Sequence, residues 1–514
     1  MRRLFSNAFT EGRATVVPRL SMKRFFILYC FAALVLSSCG GDAVVINEGT
    51  LYRIITDKDE GFGRFTRTSG SYWRGTYYRE TEGALNASAR DVVFRNGRRP
   101  SMESADGEKF RVESITEYEP PRYKEYPFAT DYRDSVFSVT ELHDITYAKA
   151  YGYWSSFPDN GRSNLAIFMS RVPDLSKSDL DLTMDVYLPE DGGKVLRPLL
   201  ILIHGGAFFN GDKASLGFPE WGRHFAAAGY VVASVNYRLG FHLNTISVER
   251  AGFRAVQDVN SAIAFILHDR ERFRADPERV FLAGTSAGGI AALNAAFMRD
   301  ANIPKSSKGE GGIMGVNEGI AKPFKVRAVG NMWGAVEDTT ILGNARTPVL
   351  SIHSTGDPIV PFGEGHPFTK IFGNDVIFPK MFGSAAVTRL TRSRGSVLMP
   401  YDLPERHTLH IDEHEDGSKL LNSHFREIEA ALKDFFSANM FAHPAKIERL
   451  QSSNIFKIDM TDVKTVSWKV EGGVILERNG GRAEVLMFPD APSRSLTASG
   501  EYHSGIAFMD TMDL

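Results

Sequence analysis

Apolar positions along the chain fall into three regimes, and the middle one is the most regular. LTMDVYL (182–188) puts Leu182, Met184, Val186 and Leu188 on one face, which predicts a half-buried strand. LLILI (199–203) is apolar throughout, as a strand covered on both faces is. YVVASV (230–235) and VFLA (280–283) read the same way. Between them Val256, Val259, Ile263 and Ile266 recur at helical spacing. KVRAVGN (325–331), PVLSI (348–352) and SVLMPY (396–401) predict three more strands. GSAAVTRLTRSRG (383–395) predicts a helix ended by Gly395, and Phe425, Ile428, Leu432 and Phe435 mark a closing amphipathic helix. Strands alternating with helices predict an α/β fold built on a mostly parallel, doubly wound sheet. Ligands of such sheets bind beyond the carboxyl ends of the strands.

The flanks follow other rules. Before about 130 the chain is polar, rich in Arg, Tyr and Gly, without a sustained period, and no fold is assigned to it. Pro120, Pro121 and Pro127 predict a linker, since proline fixes φ and ends regular structure. After Pro444 the pattern alternates again through Val466, Trp468 and Val470 up to a Gly-Gly turn. This predicts a small C-terminal all-β module over 445–514, with a weak resemblance to immunoglobulin-like or PKD-like modules. The expected organisation is therefore a leader (1–39), an N-terminal region with linker (40–134), an α/β domain (135–440) and the β module.

The leader carries a charge and hydropathy signature of its own. Lys23 and Arg24 precede an apolar run from Phe25 to Leu36, which is short for a bilayer span but suits a signal peptide. It ends in Leu36-Ser37-Ser38-Cys39, which resembles a bacterial lipobox, with Cys39 as the lipidated residue. A plain secretory signal is the alternative, and Met22 is a candidate start. The lipobox reading implies a bacterial envelope location, with the membrane reached through the lipid anchor only. The 2 cysteines, Cys30 and Cys39, both lie in the leader, so no disulfide framework is expected. The formal net charge of −2 over 514 residues gives no basic field for nucleic acid. The oligomeric state is not legible.

Candidate chemistry gathers at the predicted strand ends. In VFLAGTSAGG (280–289) Ser286 stands between glycines where a strand stops. His204-Gly205-Gly206 directly follows the buried run 199–203, and glycines there let backbone N–H groups face a site without a Cβ in the way. Gly205, Gly206, Ala207 and Ala287 are the candidate oxyanion donors. A serine hydroxyl needs a base oriented by an acid. Asp357 follows the strand 348–352; taken alone, Asp357-Pro358 is an ordinary turn start. The base belongs in the loop after 396–401, where His407 is the first candidate and His410 the second. His414 sits in an acidic stretch and reads as surface, and His353 reads as a packed polar residue. Asp258, Asp276 and Arg238 read as structural hydrogen-bonding groups. The segment 301–322 is expected to shape the mouth of a pocket. No metal-binding spacing and no nucleotide loop occur, so no cofactor is implied.

HGGAF, VNYRLG (235–240) and RADPERVFLAGTSAGG (274–289) together resemble α/β-hydrolase esterases, in particular type-B carboxylesterases and bacterial feruloyl or acetyl esterases, over about 135–440. The resemblance implies Ser286 as nucleophile, His407 as general base and then acid, Asp357 as orienter, and a carboxylic ester as substrate, with acyl groups on polysaccharides as an analogy. Ala207 departs from the family, where many relatives have a third glycine. Two other readings stay open. One is a serine peptidase of the prolyl-oligopeptidase type, although the region before 135 is too short for the β-propeller such enzymes carry. The other is a binding protein that keeps the hydrolase fold without its chemistry.

Overall fold

The computed structural model describes residues 44–124, 126, 130–158, 176–192, 195–373, 377–414, 418–441, 444–451, 453–503 and 507–514. The leader, with Met22, Cys30 and Cys39, lies outside them, as does Pro127. Two compact units emerge. One takes the described residues up to Pro120 together with Gly472–Val474 and Leu486–Ser493, and the other takes the rest.

The first unit supplies a fold where the sequence suggested none. Strands β1 (Leu51–Thr56), β2 (Glu60–Ser69), β3 (Tyr72–Arg79), β4 (Ser88–Arg95), β5 (Ser101–Ser104) and β6 (Lys109–Glu117) pair in chain order into a closed antiparallel barrel. Closure leaves no open edge to pair with another chain. Ile54, Phe65, Tyr77, Phe94 and Phe110 fill the interior. The Tyr77 hydroxyl donates to Asp59 Oδ1 at 2.7 Å, which satisfies its polar tip.

The second unit is organised by an eight-stranded sheet. Its strands are β7 (Val139–Gly152), β8 (Ser178–Pro189), β9 (Arg197–Ile203), β10 (Val231–Val235), β11 (Ala275–Thr285), β12 (Val326–Met332), β13 (Val349–Gly356) and β14 (Val397–Pro404). They lie in the order β14-β13-β12-β11-β9-β10-β8-β7. Every pair from β10 to β14 across the sheet is parallel; β8 runs antiparallel to both its neighbours. Every residue of β9 and β10 is buried, as the apolar run 199–203 and the mostly apolar run 231–235 require. The helices are α1 (Phe218–Ala227), α2 (Thr245–His268), α3 (Ala287–Phe297), α4 (Ser384–Thr391) and α5 (Ser423–Ala438). Asn244 caps α2, its side chain accepting the Ser247 N–H at 2.9 Å. Phe425, Ile428, Leu432 and Phe436 form the buried stripe of α5. At roughly 1.5–3 kcal/mol per fully buried large apolar side chain, this core holds the sheet without a cross-link.

The residues after Pro444 form two small antiparallel sheets, one from Val463–Glu471, Ser495–Tyr502 and Ala507–Asp513. The other includes Ile455–Lys457, Gly473–Asn479 and Arg482–Met487. They do not separate as one unit, because Gly472–Val474 and Leu486–Ser493 are counted with the barrel.

Candidate active site

Four strands end at one place and present it with side chains. β11 ends at Thr285 and α3 begins at Ala287, so Ser286 alone makes the turn. Its φ of 53° and ψ of −120° lie where a side chain is strained. The Ser286 N–H is held by the Met332 carbonyl at the end of β12, at 2.8 Å. The glycines that follow serve close packing. A Cβ on Gly288 would stand 2.0 Å from the Ile203 carbonyl oxygen, so α3 can start against the end of β9 only with glycine there.

His407 and Asp357 meet this serine. β14 runs three residues beyond the expected 396–401, to Pro404, and His407 lies in the loop after it. Its Nε2 is 2.8 Å from Ser286 Oγ, and its Nδ1 is 2.7 Å from Asp357 Oδ2. Asp357 stands just past the end of β13, its side chain fully buried. Its other oxygen accepts the N–H groups of Ile359 at 2.7 Å and Val360 at 3.0 Å. Asp357 therefore does start a turn, with one oxygen, while the other faces the imidazoles. Burial alone would push its carboxyl up, toward the protonated form. Hydrogen bonds from His353 and His407 outweigh that and hold the carboxyl well below the usual carboxylate range.

His410 sits elsewhere. It is buried between two indoles, with ring centroids 5.0 Å from Trp221 and 5.5 Å from Trp333, both stacked. Burial lowers its pKa to about 4, so it is neutral near pH 7. His204 is similar: it stacks on Tyr237 at 4.4 Å, its Nδ1 lies 2.8 Å from the Gly205 carbonyl, and burial lowers it to about 4.

The HGGAF turn adopts an unusual backbone. Gly206, Ala207 and Phe208 have φ of 103°, 54° and 60°. A Cβ on Gly206 would meet the Asn210 carbonyl at 1.9 Å, which fixes glycine at that position. Phe209 and Asn210 return their N–H groups to the Gly206 carbonyl at 2.9 and 3.0 Å, closing the turn. Among the described residues no acceptor takes the N–H of Gly206, Ala207 or Ala287. Ala207 and Ala287 line the same cavity as Ser286, about 220 Å³ in volume. Gly205 packs behind, with its Cβ position 3.2 Å from Thr285 Oγ1.

The cavity wall is mainly apolar, including Phe208, Phe253, Ile290 and Phe378, with Glu249, Glu337 and Asp338 at one side. Burial and the neighbouring Glu249 and Asp338 carboxylates push Glu337 up to about 7. Of the 301–322 segment, Asn302 and Pro304 line the cavity, and the Ser306 hydroxyl donates to Glu249 at 2.6 Å. Its remainder is pinned to α2: Gln257, Asn260 and Ser261 donate to the carbonyls of Gly312, Ile313 and Met314 at 2.8–3.0 Å. A larger cleft, about 890 Å³, is lined by Arg299, Lys325, Arg327 and Arg346 and includes neither Ser286, His407 nor Asp357.

Other expected structural groups have structural partners. Asp258 binds the Arg238 guanidinium, with Nη2 to Oδ1 at 2.7 Å, and Asp276 pairs with Arg279. The packed position expected of His353 is observed: its side chain is fully buried. Its contact with Asp357, 3.0 Å from Nε2 to Oδ2, escaped the reading of the sequence. The i, i+4 spacing of His and Asp across a strand end was the available signal. Among the described residues no group of three or more His, Cys, Asp or Glu could hold a metal ion. No described helix is long and apolar enough to cross a membrane.

Residues 184–347 match the BD-FAE family model. The para-nitrobenzyl esterase of Bacillus subtilis (strain 168) is 30% identical over 195 residues, covering 36% of this chain and 38% of that protein. A probable isoprenylcysteine α-carbonyl methylesterase of Oryza sativa subsp. japonica is 28% identical over 173 residues, or 33% of this chain and 37% of its own length. The chain thus matches well under half the length of these relatives. Among solved structures, the apo form of Thermogutta terrifontis esterase 2 is 17% identical, with a TM-score of 0.35, covering 51% of this chain and 92% of that one.

Proposed function

We propose that the protein is a serine carboxylesterase. One observation carries the reading: a serine on a strained strand-to-helix turn, hydrogen-bonded to His407 at 2.8 Å, which is hydrogen-bonded to Asp357 at 2.7 Å. The family model matched over 184–347, a range that includes Ser286, and the esterases among the relatives support it.

The chemistry follows from the positions. Ser286 Oγ attacks the ester carbonyl while His407 Nε2 takes its proton. The carbonyl oxygen becomes an oxyanion and is received by the unengaged N–H groups of Ala207 and Ala287, with Gly206 beside them. His407 passes its proton to the departing alkoxide, leaving an acyl-serine and free alcohol. Water then attacks the acyl-serine while His407 Nε2 takes that water's proton; as the Oγ–acyl bond breaks, His407 returns this proton to Ser286 Oγ and the acid is released. Asp357 keeps the His407 ring turned toward Ser286 and balances the imidazolium. The substrates we propose are acyl esters of modest size, with acetyl or feruloyl decorations of polysaccharides as the natural class, acted on by an enzyme anchored to the bacterial envelope through Cys39.

Fluorophosphonate labelling of the protein lacking residues 1–39, followed by peptide mapping, tests the reading. Modification at Ser286, with p-nitrophenyl acetate hydrolysis abolished in Ser286→Ala, is the expected outcome. A folded protein that hydrolyses esters equally well as Ser286→Ala overturns it.

A further inference from the structure

The hydrogen-bonded chain that starts at Ser286 does not stop at Asp357. We infer that His353 is a positioning residue, a neutral second imidazole that holds the Asp357 carboxylate in register with His407; this rests on the esterase reading above.

The assignment comes from counting donors and acceptors. His353 Nε2 lies 3.0 Å from Asp357 Oδ2 and 3.2 Å from the Val360 carbonyl oxygen, and both of these accept. The proton is therefore on Nε2. Nδ1 lies 2.8 Å from Ser384 Oγ, at the start of α4. Asn331 Nδ2 donates to the same Ser384 Oγ at 3.1 Å and to Ser351 Oγ at 3.2 Å. The Gly334 N–H, donating to Asn331 Oδ1 at 3.0 Å, fixes which end of that amide is oxygen. With Asn331 donating to it, the Ser384 hydroxyl keeps its own hydrogen for His353 Nδ1. A neutral Nε2–H imidazole thus gives each ring nitrogen a complementary partner, acceptors at Nε2 and the Ser384 hydroxyl at Nδ1. An imidazolium would put hydrogens on both sides of Ser384 Oγ and strand the hydroxyl hydrogen.

The network also closes on itself. Asn331, Ser351, His353 and Ser384 are all completely buried. Asn331 belongs to the end of β12, and the next residue, Met332, holds the Ser286 N–H. One strand end therefore fixes the proposed nucleophile directly and the proposed acid through three side chains. The groups facing the His353 ring are Asp357, Ser384, the Val360 carbonyl and the edge of Phe362, 5.7 Å away. Asp357 is the charged one among these described partners. Oδ2 divides its charge between two imidazole N–H groups. Without His353, the carboxylate is freer to rotate, and its undivided charge falls on His407 and favours the imidazolium.

His353→Phe in the full chain should therefore lower kcat for a p-nitrophenyl ester about tenfold with KM held, and move the acid limb of the kcat profile up by about one pH unit. His353→Gln, whose amide offers both a donor and an acceptor, should recover part of the rate and return the limb toward its original position. Ser384→Ala keeps the His353–Asp357 contact and should shift the limb the same way by less. Folded His353→Phe with unchanged kcat and unchanged acid limb overturns the assignment, as does a change confined to KM. If His353→Phe fails to fold, Ser384→Ala decides, and an unchanged limb there overturns it. Ester hydrolysis that survives Ser286→Ala would instead defeat the underlying esterase reading, a separate result.

Discussion

At the residue scale, the site depends on contacts that leave almost no freedom of substitution. Gly288 is the clearest case: an added methyl group would fall 2.0 Å from the Ile203 carbonyl, which is backbone and cannot swing away. Gly288→Ala should displace α3 from β9 and lower kcat/KM at least 100-fold, since small misplacements of a nucleophile are that damaging. Ester hydrolysis and a crystal structure of the variant would check this. Asp357→Asn is a change of charge and tautomer rather than shape. It should lower kcat by about 10⁴ while leaving KM near wild type, as measured by steady-state kinetics at pH 7–8. Ser286, His407 and Asp357 could be singled out in the sequence because each lies in a loop or turn beyond an apolar run, 280–283, 396–401 and 348–352 respectively. The choice between His407 and His410 was a matter of position alone. The structure brings His407 to Ser286 and puts His410 between Trp221 and Trp333. His353 was harder to read, because its value lies in Asp357, four residues on and past the strand end, whose Oδ2 it shares with His407.

At the scale of elements, the sheet was readable where burial on both faces removed polar residues, as in β9 and β10, and where helical spacing was sustained, as in α2 and α5. The barrel was not readable for the opposite reason. In β2 and β3 arginines, threonines and glycines interrupt the alternation, and the glycines contribute no hydropathy signal. Its order is set by cross-strand pairing, which a single strand's pattern does not reveal. Helix α2 offers a test of local design. Asn244 accepts from Ser247 N–H, so Asn244→Ala should destabilise the second unit by about 1 kcal/mol. Urea unfolding followed by circular dichroism would read the change. Because α2 also pins the segment around Gly312–Met314, that loss should not spread to the cavity rim at Asn302 and Pro304, and kcat/KM should stay within about twofold, well under the tenfold of 1.4 kcal/mol.

At the scale of the whole molecule, stability should respond to acid through buried neutral histidines. His204 and His410 both have folded pKa values near 4 against an ordinary 6.5. Both prefer to stay uncharged in the folded state, so the unfolded chain binds the extra protons. Stability is complete above about pH 6.5, falls as pH drops from there toward 4, and levels off below that; each group contributes up to about 3 kcal/mol. His410→Phe should flatten this dependence between pH 6.5 and 4, visible as a smaller loss of Tm across that range. The depressed Asp357 acts at still lower pH, so the two effects separate on the pH axis.

The sandwich of Trp221, His410 and Trp333 also has an optical consequence. The chain holds 5 tryptophans, and two of them lie flat against one imidazole beside the loop that carries His407. A charged imidazole against an indole quenches its emission, whereas a neutral one does so far less. The protein therefore carries a built-in fluorophore pair whose brightness reports on proton entry to its interior and on the integrity of the loop above the serine, with no added label.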